Sequence, residues 1–247
     1  MNKGRAVLSY LLKPSGIHRL GGLRFLHYYK AHPFFIVNLL RNSQSQIGQD
    51  VFVACQLGLW KKSSTTRYFV EFGATDGINL SNTYTLEKIF KWQGLLIEPA
   101  RIWKDRLISN RSSSLDFRCV YSESGKKIEF NESRDAVYST ILHFSENDAH
   151  AKERTNGESY LVETVTLNDA LTDHGAPVII DYLSIDTEGS EFQILQSIDF
   201  NKWFFRVITV EHNYMPQRIL INELLTEHGY KRVFENLSYM DDWYIKC

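Results

Sequence analysis

Short apolar runs alternate with segments of helical spacing along most of the chain. From about residue 67 onward, buried strands are predicted at 68–72, 95–97, 115–120, 178–185 and 204–210, with two closing runs at 231–234 and 243–245. Helical patterns separate them, after residue 82, through Leu107, after Thr166, after Gly189 and over 219–225. This alternation predicts a parallel sheet covered by helices on both faces.

The end of the chain and its middle depart from this pattern. The two closing runs are joined by a connection too short for a parallel crossover, so an antiparallel hairpin is expected. The predicted fold is therefore α/β and Rossmann-like, with a seven-stranded, mostly parallel sheet that ends in a C-terminal antiparallel hairpin. Residues 122–160 are polar and turn-rich, and we predict an insertion on the substrate side of a domain spanning 45–247.

Charge is distributed unevenly. No acidic residue precedes Asp50, and residues 1–49 carry a charge of +7, whereas the remaining 21 basic and 29 acidic residues sum to −8. Residues 1–44 are also rich in Leu, Phe and Tyr, which predicts a basic helical N-terminal extension. Two interpretations stay open: a helical layer packed on the body, or a peripheral contact with an anionic membrane or lipid-linked substrate. Nucleic acid is not expected as a partner, because the acidic body would repel phosphates.

The cysteines bear on the compartment. Cys55, Cys119 and Cys247 are widely spaced and odd in number, which argues against a disulfide framework or a Cys-x-x-Cys metal site. No run approaches eighteen apolar residues, so no membrane-spanning helix is predicted. We expect a cytoplasmic protein, free or peripheral at the inner face of a membrane.

Acidic residues stand at the ends of three predicted strands: Glu98, Asp186 and Glu211. The carboxyl ends of parallel strands meet at one edge of a sheet, where α/β proteins bind their ligands. Turns readily use Gly, Pro and Asn, so turn chemistry alone does not explain these carboxylates. The sequence therefore predicts a ligand site at this edge.

The loop after the first strand, residues 71–77, has the form E-x-G-x-x-x-G. Gly73 would let the backbone turn sharply and pass close to a ligand. Glu98 lies 27 residues beyond Glu71, at the end of the next strand. A carboxylate at that place can accept both hydroxyls of a nucleoside ribose.

Two nucleoside cofactors fit this geometry. A dinucleotide loop needs G-x-G-x-x-G, but Thr75 occupies the position of the second glycine and Asp76 adds negative charge where a pyrophosphate would lie. The same charges suit S-adenosylmethionine, which carries a sulfonium and an ammonium. The loop thus favours S-adenosylmethionine; a NAD-dependent Rossmann oxidoreductase and a non-catalytic S-adenosylmethionine-binding module stay as alternatives.

Several strings of the sequence resemble the FkbM-type S-adenosylmethionine-dependent methyltransferases. They are YFVEFGATDG at 68–77 with SNT at 81–83 and LEK at 86–88, GLLIEP at 94–99, DYLSIDTEGSE at 181–191 and VITVEHN at 207–213. Ser45-Gln46 with Gln49-Asp50 resembles the usual beginning of that domain. The resemblance covers residues 45–245 in order, departs at 122–160 and does not extend to 1–44.

The resemblance implies a class I methyltransferase fold and methyl transfer, typically to a hydroxyl oxygen of a small molecule or glycan. It implies a set of cofactor-binding residues: Glu71, Gly73, Ala74, Asp76 and Gly77 at the methionine end, with Asn82; Glu98 and Pro99 at the ribose; and Tyr121 and Ser122 at the adenine. Asp186 would lie where the sulfonium and the acceptor meet.

An alcohol acceptor must lose a proton, so the site needs a general base. His212 is the first candidate because its unperturbed pKa is near neutrality, and Asp186 and Glu188 are the alternatives. His212 could instead satisfy strand-end carbonyls, and Glu188 could complement a helix dipole. Asp186, Glu211 and Asn213 would suit Mg²⁺. This metal-dependent version is not favoured, because a Glu-His pair can act without metal.

Overall fold

The computed structural model describes residues 33–61, 65–145 and 151–247, and for Glu153 the backbone alone. Residues 1–32 of the predicted extension lie outside these ranges. The chain forms two compact units. The first contains the described residues up to Thr66 together with Ile78–Trp92, and the second contains Arg67–Gly77 and Gln93–Cys247.

The described residues contain eleven strands and eight α-helices. The strands are β1 (Tyr68–Phe72), β2 (Gln93–Ile97), β3 (Ser114–Asp116), β4 (Cys119–Val120), β5 (Lys127–Glu132), β6 (Thr140–Ile141), β7 (Glu158–Val165), β8 (Ile179–Ile185), β9 (Phe204–Glu211), β10 (Tyr230–Val233) and β11 (Asp241–Lys246). The helices are α1 (Pro33–Asn42), α2 (Gln49–Gln56), α3 (Tyr84–Lys88), α4 (Lys104–Asn110), α5 (Ala151–Arg154), α6 (Leu167–Asp173), α7 (Glu191–Gln196) and α8 (Gln217–Glu227). Within the described ranges, no helix is long and apolar enough to cross a bilayer.

The first unit is helical and closes around a buried carboxylate. α1 buries Ile36, Leu39 and Leu40, so its apolar face packs inside this unit. Asp50 at the start of α2 is fully buried, and it accepts hydrogen bonds from the hydroxyls of Ser43 (2.7 Å) and Ser45 (2.6 Å). These bonds hold together the segment that joins α1 to α2.

The second unit contains the main sheet, with strand order β10-β11-β9-β8-β1-β2-β3. All neighbours are parallel except β11, which is antiparallel to both β9 and β10. The prediction of seven mostly parallel strands with a terminal antiparallel hairpin is confirmed. β8 and β9 pair in register up to Ile185 and Val210, so Asp186, just after β8, and Glu211, the last residue of β9, lie side by side at the carboxyl edge of the sheet.

The central strands are continuous apolar runs because both of their faces are covered. Leu183 and Ile185 of β8 and Ile208 of β9 are at most 1% exposed, and they belong to one core with residues of α6, α7 and α8. Thr166 caps α6 with its hydroxyl, which accepts the N–H of Asp169 at 3.1 Å. The helix predicted after Thr166 is therefore confirmed.

Residues 114–165 differ most from expectation. The single strand predicted at 115–120 is wrong, because β3 belongs to the main sheet and β4 to a second sheet of order β4-β7-β5-β6. β5, β6 and the first residues of β7 in this second sheet lie within the stretch predicted as turn-rich. Its apolar residues, such as Phe130, Ile141 and Val162, are buried on one face, while exposed charges alternate with them and gave the segment the composition of a loop.

The helix predicted after residue 82 is also shorter than expected. The apolar residues Leu86, Ile89 and Phe90 have helical spacing, but α3 ends at Lys88. Leu86 is buried, whereas Ile89 is 41% exposed. The apolar spacing at 86, 89 and 90 continues past the last helical turn and therefore does not define a buried face.

Candidate active site

The glycine loop after β1 lies directly against the end of β8. Gly73 has a φ of 68°, and a Cβ at this position would overlap the backbone carbonyl oxygen of Asp186. Only glycine adopts this conformation at such close approach without strain. The loop predicted to bind the cofactor and the residue predicted to face its sulfonium therefore lie side by side.

Two residues at the end of α4 hold the other side of this loop. Asn110 donates a hydrogen bond to the carbonyl of Asp76 at 2.8 Å, and the buried Arg111 guanidinium donates to the carbonyl of Gly77 at 3.0 Å. Arg111 also lies 3.7 Å from the Glu71 carboxylate. Glu71 thus has a cationic partner within the protein. Sequence reasoning missed Arg111, because an arginine after a short helix forms part of no motif.

Glu98 connects the glycine loop to the end of β2. Its carboxylate accepts the N–H of Thr75 at 2.9 Å and the N–H of Ala100 at 2.8 Å. Burial raises the pKa of Glu98 to about 7, and the negative charges of Asp186 and Glu132 add to this effect. The structure therefore brings Glu98 beside residues 73–77, as the ribose hypothesis requires.

Of the remaining predicted cofactor residues, two lie elsewhere than expected and the roles of all of them stay untested. Tyr121 and Ser122 follow β4 of the second sheet, so their placement after the third strand of the main sheet is wrong. The Tyr121 ring lies 6.5 Å from that of Phe144. Their role at the adenine stays a prediction, as do the roles of Ala74 in the glycine loop and Pro99 after Glu98. Asn82 belongs to the first compact unit, and its role is likewise untested.

Three carboxylates gather where β8 and β9 end. Oxygen atoms of Asp186, Glu188 and Glu211 all lie within 4.8 Å of one another. Burial raises the pKa of Asp186 to about 6, and it raises the pKa of Glu211 well above its usual value, with the charge of Asp186 adding to it. The Asp186 and Glu211 carboxyls also share a hydrogen bond, which requires one of the two to be protonated. A carboxyl with a pKa near 6 suits proton transfer close to neutrality.

These pKa shifts predict that the unliganded protein is more stable in mild acid. The folded-state pKa values of Glu98, Asp186 and Glu211 are raised, so the folded protein binds more protons than the unfolded chain between about pH 4 and 7, and stability falls as pH rises. The lowered pKa of His212 makes stability rise with pH, but this single group is outweighed by the three carboxyls. We expect the melting temperature to be a few degrees higher at pH 5.5 than at pH 7.5.

A matched variant controls this pH prediction. Glu98→Gln removes one of the three titrating carboxyls and should reduce the difference in melting temperature between the two pH values. Calorimetric scans of both proteins test it. A melting temperature that rises from pH 5.5 to pH 7.5 would contradict the raised pKa values.

Glu188 has its own cationic partner. The buried Arg154 guanidinium lies 2.7 Å from the Glu188 carboxylate, and its Nε donates to the carbonyl of Tyr138 at 2.6 Å. The hydroxyl of Thr140 donates to the Glu188 carbonyl at 2.9 Å, while the Glu188 backbone has a φ of 59°. Thr140 of the second sheet and Arg154 of α5 therefore hold a strained backbone two residues after Asp186. The Arg154 partner counts against Glu188 as a free base and as a metal ligand.

His212 is held by the turn that follows β9. Its Nδ1 accepts the N–H of Tyr214 at 2.9 Å, and its Nε2 lies 3.8 Å from Asp242 Oδ1. Burial lowers the pKa of His212, so the ring is neutral at pH 7. The nitrogen that could accept a proton is already hydrogen-bonded. This geometry favours Asp186 over His212 as the base.

A pair of substitutions tests the role of His212. His212→Asn can keep an acceptor for the Tyr214 N–H, whereas His212→Leu leaves that N–H without one, which should cost about 1–3 kcal/mol of unfolding free energy. We expect His212→Asn to retain methyl transfer within about fivefold, because the imidazole takes no proton in this account. Chemical denaturation and activity assays measure both quantities; a loss of about a hundredfold in the Asn variant, with normal stability, would restore His212 as the base.

A pocket of about 340 Å³ opens beside this cluster. Its lining combines acids, amides and apolar groups: Phe144, Gly189, Glu191, Gln193, Glu211, His212, Asn213, Met215, Pro216 and Gln217. Glu191 is satisfied within the protein, since it accepts hydrogen bonds from Thr187, Gly189 and Gln217. Of the predicted metal set, the structure brings Asp186 and Glu211 together, and it places Asn213 in the pocket wall. Of the insertion, Phe144 contributes to this wall.

The fold and the edge site define a class of protein. The seven-stranded, mostly parallel sheet is that of a Rossmann-like class I methyltransferase, and the glycine loop and acidic strand ends lie at its carboxyl edge. The methyltransferase FkbM domain matches residues 71–232, about two thirds of the chain. The chain therefore belongs to the FkbM methyltransferase family.

Solved structures with a similar fold include several methyltransferases. The FkbM methyltransferase from Methylobacillus flagellatus is 12% identical, with 93% of this chain and 59% of that chain covered, at a TM-score of 0.44. A precorrin-6y C5,15-methyltransferase from Geobacter metallireducens is 10% identical, with 74% and 71% covered, at 0.40. The N-terminal domain of human METTL16, solved in complex with SAH, is 14% identical, with 95% and 82% covered, at 0.40. Among curated proteins, none matches the chain significantly.

Proposed function

We propose that this protein transfers a methyl group from S-adenosylmethionine to a hydroxyl of a sugar, glycan or hydroxylated metabolite. One observation carries the proposal: Asp186 touches the glycine loop through its backbone and the pocket-lining Glu211 through its side chain. The cofactor loop and the acceptor pocket therefore meet at a single residue, Asp186. Membership of a methyltransferase family supports this reading over a nicotinamide-dependent oxidoreductase.

The residues at the edge of the sheet fit S-adenosylmethionine. The carboxylates of Asp76, Glu98 and Asp186 give the rim a negative charge that suits a cationic ligand, and Gly73 lets the glycine loop lie against the Asp186 carbonyl. Glu98 would hold the ribose, and residues 73–77 would hold the methionine end. When bound, the cofactor supplies a methyl group activated by the adjacent sulfonium.

The chain's own residues supply positioning and proton transfer. Holding an acceptor in line can contribute about 7–11 kcal/mol in well-oriented systems. Asp186 is the base in this proposal: its raised pKa of about 6 lets it take the hydroxyl proton near neutral pH. Arg154 compensates Glu188, and Glu211 lines the acceptor side.

Product analysis with labelled cofactor tests the proposal. Methyl-labelled S-adenosylmethionine is incubated with the protein and a panel of sugars, glycosides and polyols, with and without EDTA. We expect label in an alkali-stable methyl ether, and activity that survives EDTA. Cofactor binding with no transfer to any acceptor would support the non-catalytic alternative, and loss of activity in EDTA would support the Mg²⁺ version.

The basic extension carries a separate proposal, a peripheral contact with an anionic membrane or lipid-linked substrate. It is supported by the charge of +7 over residues 1–49. Six of these charges lie before α1: Lys3, Arg5, Lys13, Arg19, Arg24 and Lys30. Replacing all six with Gln in the full chain should abolish sedimentation with phosphatidylserine vesicles. Cofactor affinity should stay unchanged. If the wild-type chain does not bind these vesicles, the extension is structural or serves a protein.

A further inference from the structure

One buried carboxylate of the acceptor pocket has no cationic partner. Glu211 is 8% exposed and lines the pocket. Apart from its hydrogen bond with Asp186, no donor among the residues that the structure describes reaches its carboxylate. The strongest charges that act on it are negative: Asp186, Glu188, Glu191 and Asp241.

The other acids at this edge differ in that respect. Glu188 pairs with Arg154, Glu191 accepts four hydrogen bonds, and Glu98 accepts two backbone N–H groups. Two adjacent buried carboxyls without a cationic partner share a proton, and a ligand cation beside Glu211 would stabilise its ionised form and add a charge-assisted hydrogen bond. Glu211 therefore marks a place for a positive charge on the pocket side.

We propose that the acceptor carries a protonated amine beside the hydroxyl that is methylated, and that Glu211 binds this ammonium. The inference rests on the proposed function and narrows its substrate class to amino sugars or amino polyols. The described lining supports it: no lysine or arginine lines the pocket, Gln193 and Gln217 can bond hydroxyls, and Phe144 and Met215 offer apolar contact to ring carbons. An anionic acceptor would instead meet Glu211 and Glu191.

Three probes with the same ring test this inference on the full chain saturated with S-adenosylhomocysteine. They are the methyl glycosides of glucosamine, N-acetylglucosamine and glucuronic acid, and their dissociation constants are measured by ligand-observed NMR in EDTA. We expect the amine to bind at least tenfold more tightly than its acetylated form, and the glucuronide not to bind detectably. Glu211→Gln should remove the preference for the amine, whereas Glu129→Gln, an exposed carboxylate on β5, should not.

Other outcomes overturn the inference. Equal binding of the amine and its acetylated form, binding of no probe, or a preference that survives Glu211→Gln would each do so. A tenfold loss of S-adenosylmethionine affinity in Glu211→Gln, with the preference unchanged, would assign this charge to the cofactor. Competition by Mg²⁺ that Glu211→Gln abolishes would assign it to a metal ion. If S-adenosylhomocysteine itself does not bind, the proposed function fails as well; if it binds, only the amine inference is at stake.

Discussion

Asp186→Asn is expected to lower the rate of methyl transfer by about 10²–10⁴-fold, the usual contribution of a general base. The amide keeps the size of the side chain and leaves the contact between the residue 186 carbonyl and Gly73 in place. It cannot accept the hydroxyl proton at neutral pH. Cofactor affinity should change much less than the rate, because the glycine loop and Glu98 are untouched. Single-turnover rates and calorimetric titration separate the two effects.

Asp181→Asn is the matched control for this variant. Asp181 lies near the start of the same strand, far from its carboxyl end. There it pairs with Arg67 at 2.8 Å. Its replacement makes the same chemical change away from the site, so stability should fall slightly and the transfer rate should be retained. Equal rate losses in both variants would show that Asp186 matters only for the integrity of β8.

Glu98→Ala is expected to weaken binding of S-adenosylmethionine tenfold or more. Hydrogen bonds to charged groups contribute about 1.5–3 kcal/mol, and about 1.4 kcal/mol corresponds to one decade in affinity. The substitution removes the carboxylate proposed to bind the ribose, and it also frees the N–H groups of Thr75 and Ala100 from their acceptor. Calorimetric titration of the wild type and the variant measures the loss.

Two controls isolate the ribose contact. Glu129→Ala removes an exposed carboxylate on β5 and should leave affinity unchanged. Titration with 2′-deoxy S-adenosylhomocysteine should show a penalty in the wild type and little further penalty in Glu98→Ala, since the contact is already lost. Unchanged affinity in Glu98→Ala would remove Glu98 from the ribose role.

The sheet and the place of the site follow from local sequence patterns. Apolar runs that end in a carboxylate or a glycine turn predicted β1, β2, β8 and β9, because strands buried on both faces leave a continuous apolar signature. The parallel alternation then fixed the edge at which Glu98, Asp186 and Glu211 meet. These features depend on each strand alone and on general rules of topology.

The second sheet did not leave such a signature. β5 and β7 each bury one face and expose the other, so charges such as Lys127, Glu129 and Glu163 alternate with apolar residues. In the sequence, that alternation was hidden by turns rich in Ser and Gly. Because the second sheet was not predicted, Tyr121 was placed after the third strand of the main sheet, whereas it follows β4.

The sequence also did not predict which of the acidic residues form ion pairs, because their partners are distant in sequence. Arg154 lies 34 residues before Glu188, and Arg111 lies 40 residues after Glu71. Residue type and spacing identified these carboxylates as candidates but could not tell which of them have a guanidinium beside them. The hydrogen bond from the Tyr214 N–H to His212 belongs to a turn in which Asn213 and Tyr214 have positive φ. Neither residue is a glycine, so the sequence did not predict such a turn.

Calorimetric titration of the unmodified chain with S-adenosylhomocysteine, alongside NAD, tests the central claim most directly. We expect one S-adenosylhomocysteine bound per chain, with an affinity that Glu98→Ala lowers at least tenfold, and no binding of NAD. Binding of NAD in its place, or the absence of heat with either nucleoside, would contradict the assignment of this acidic edge to a sulfonium cofactor.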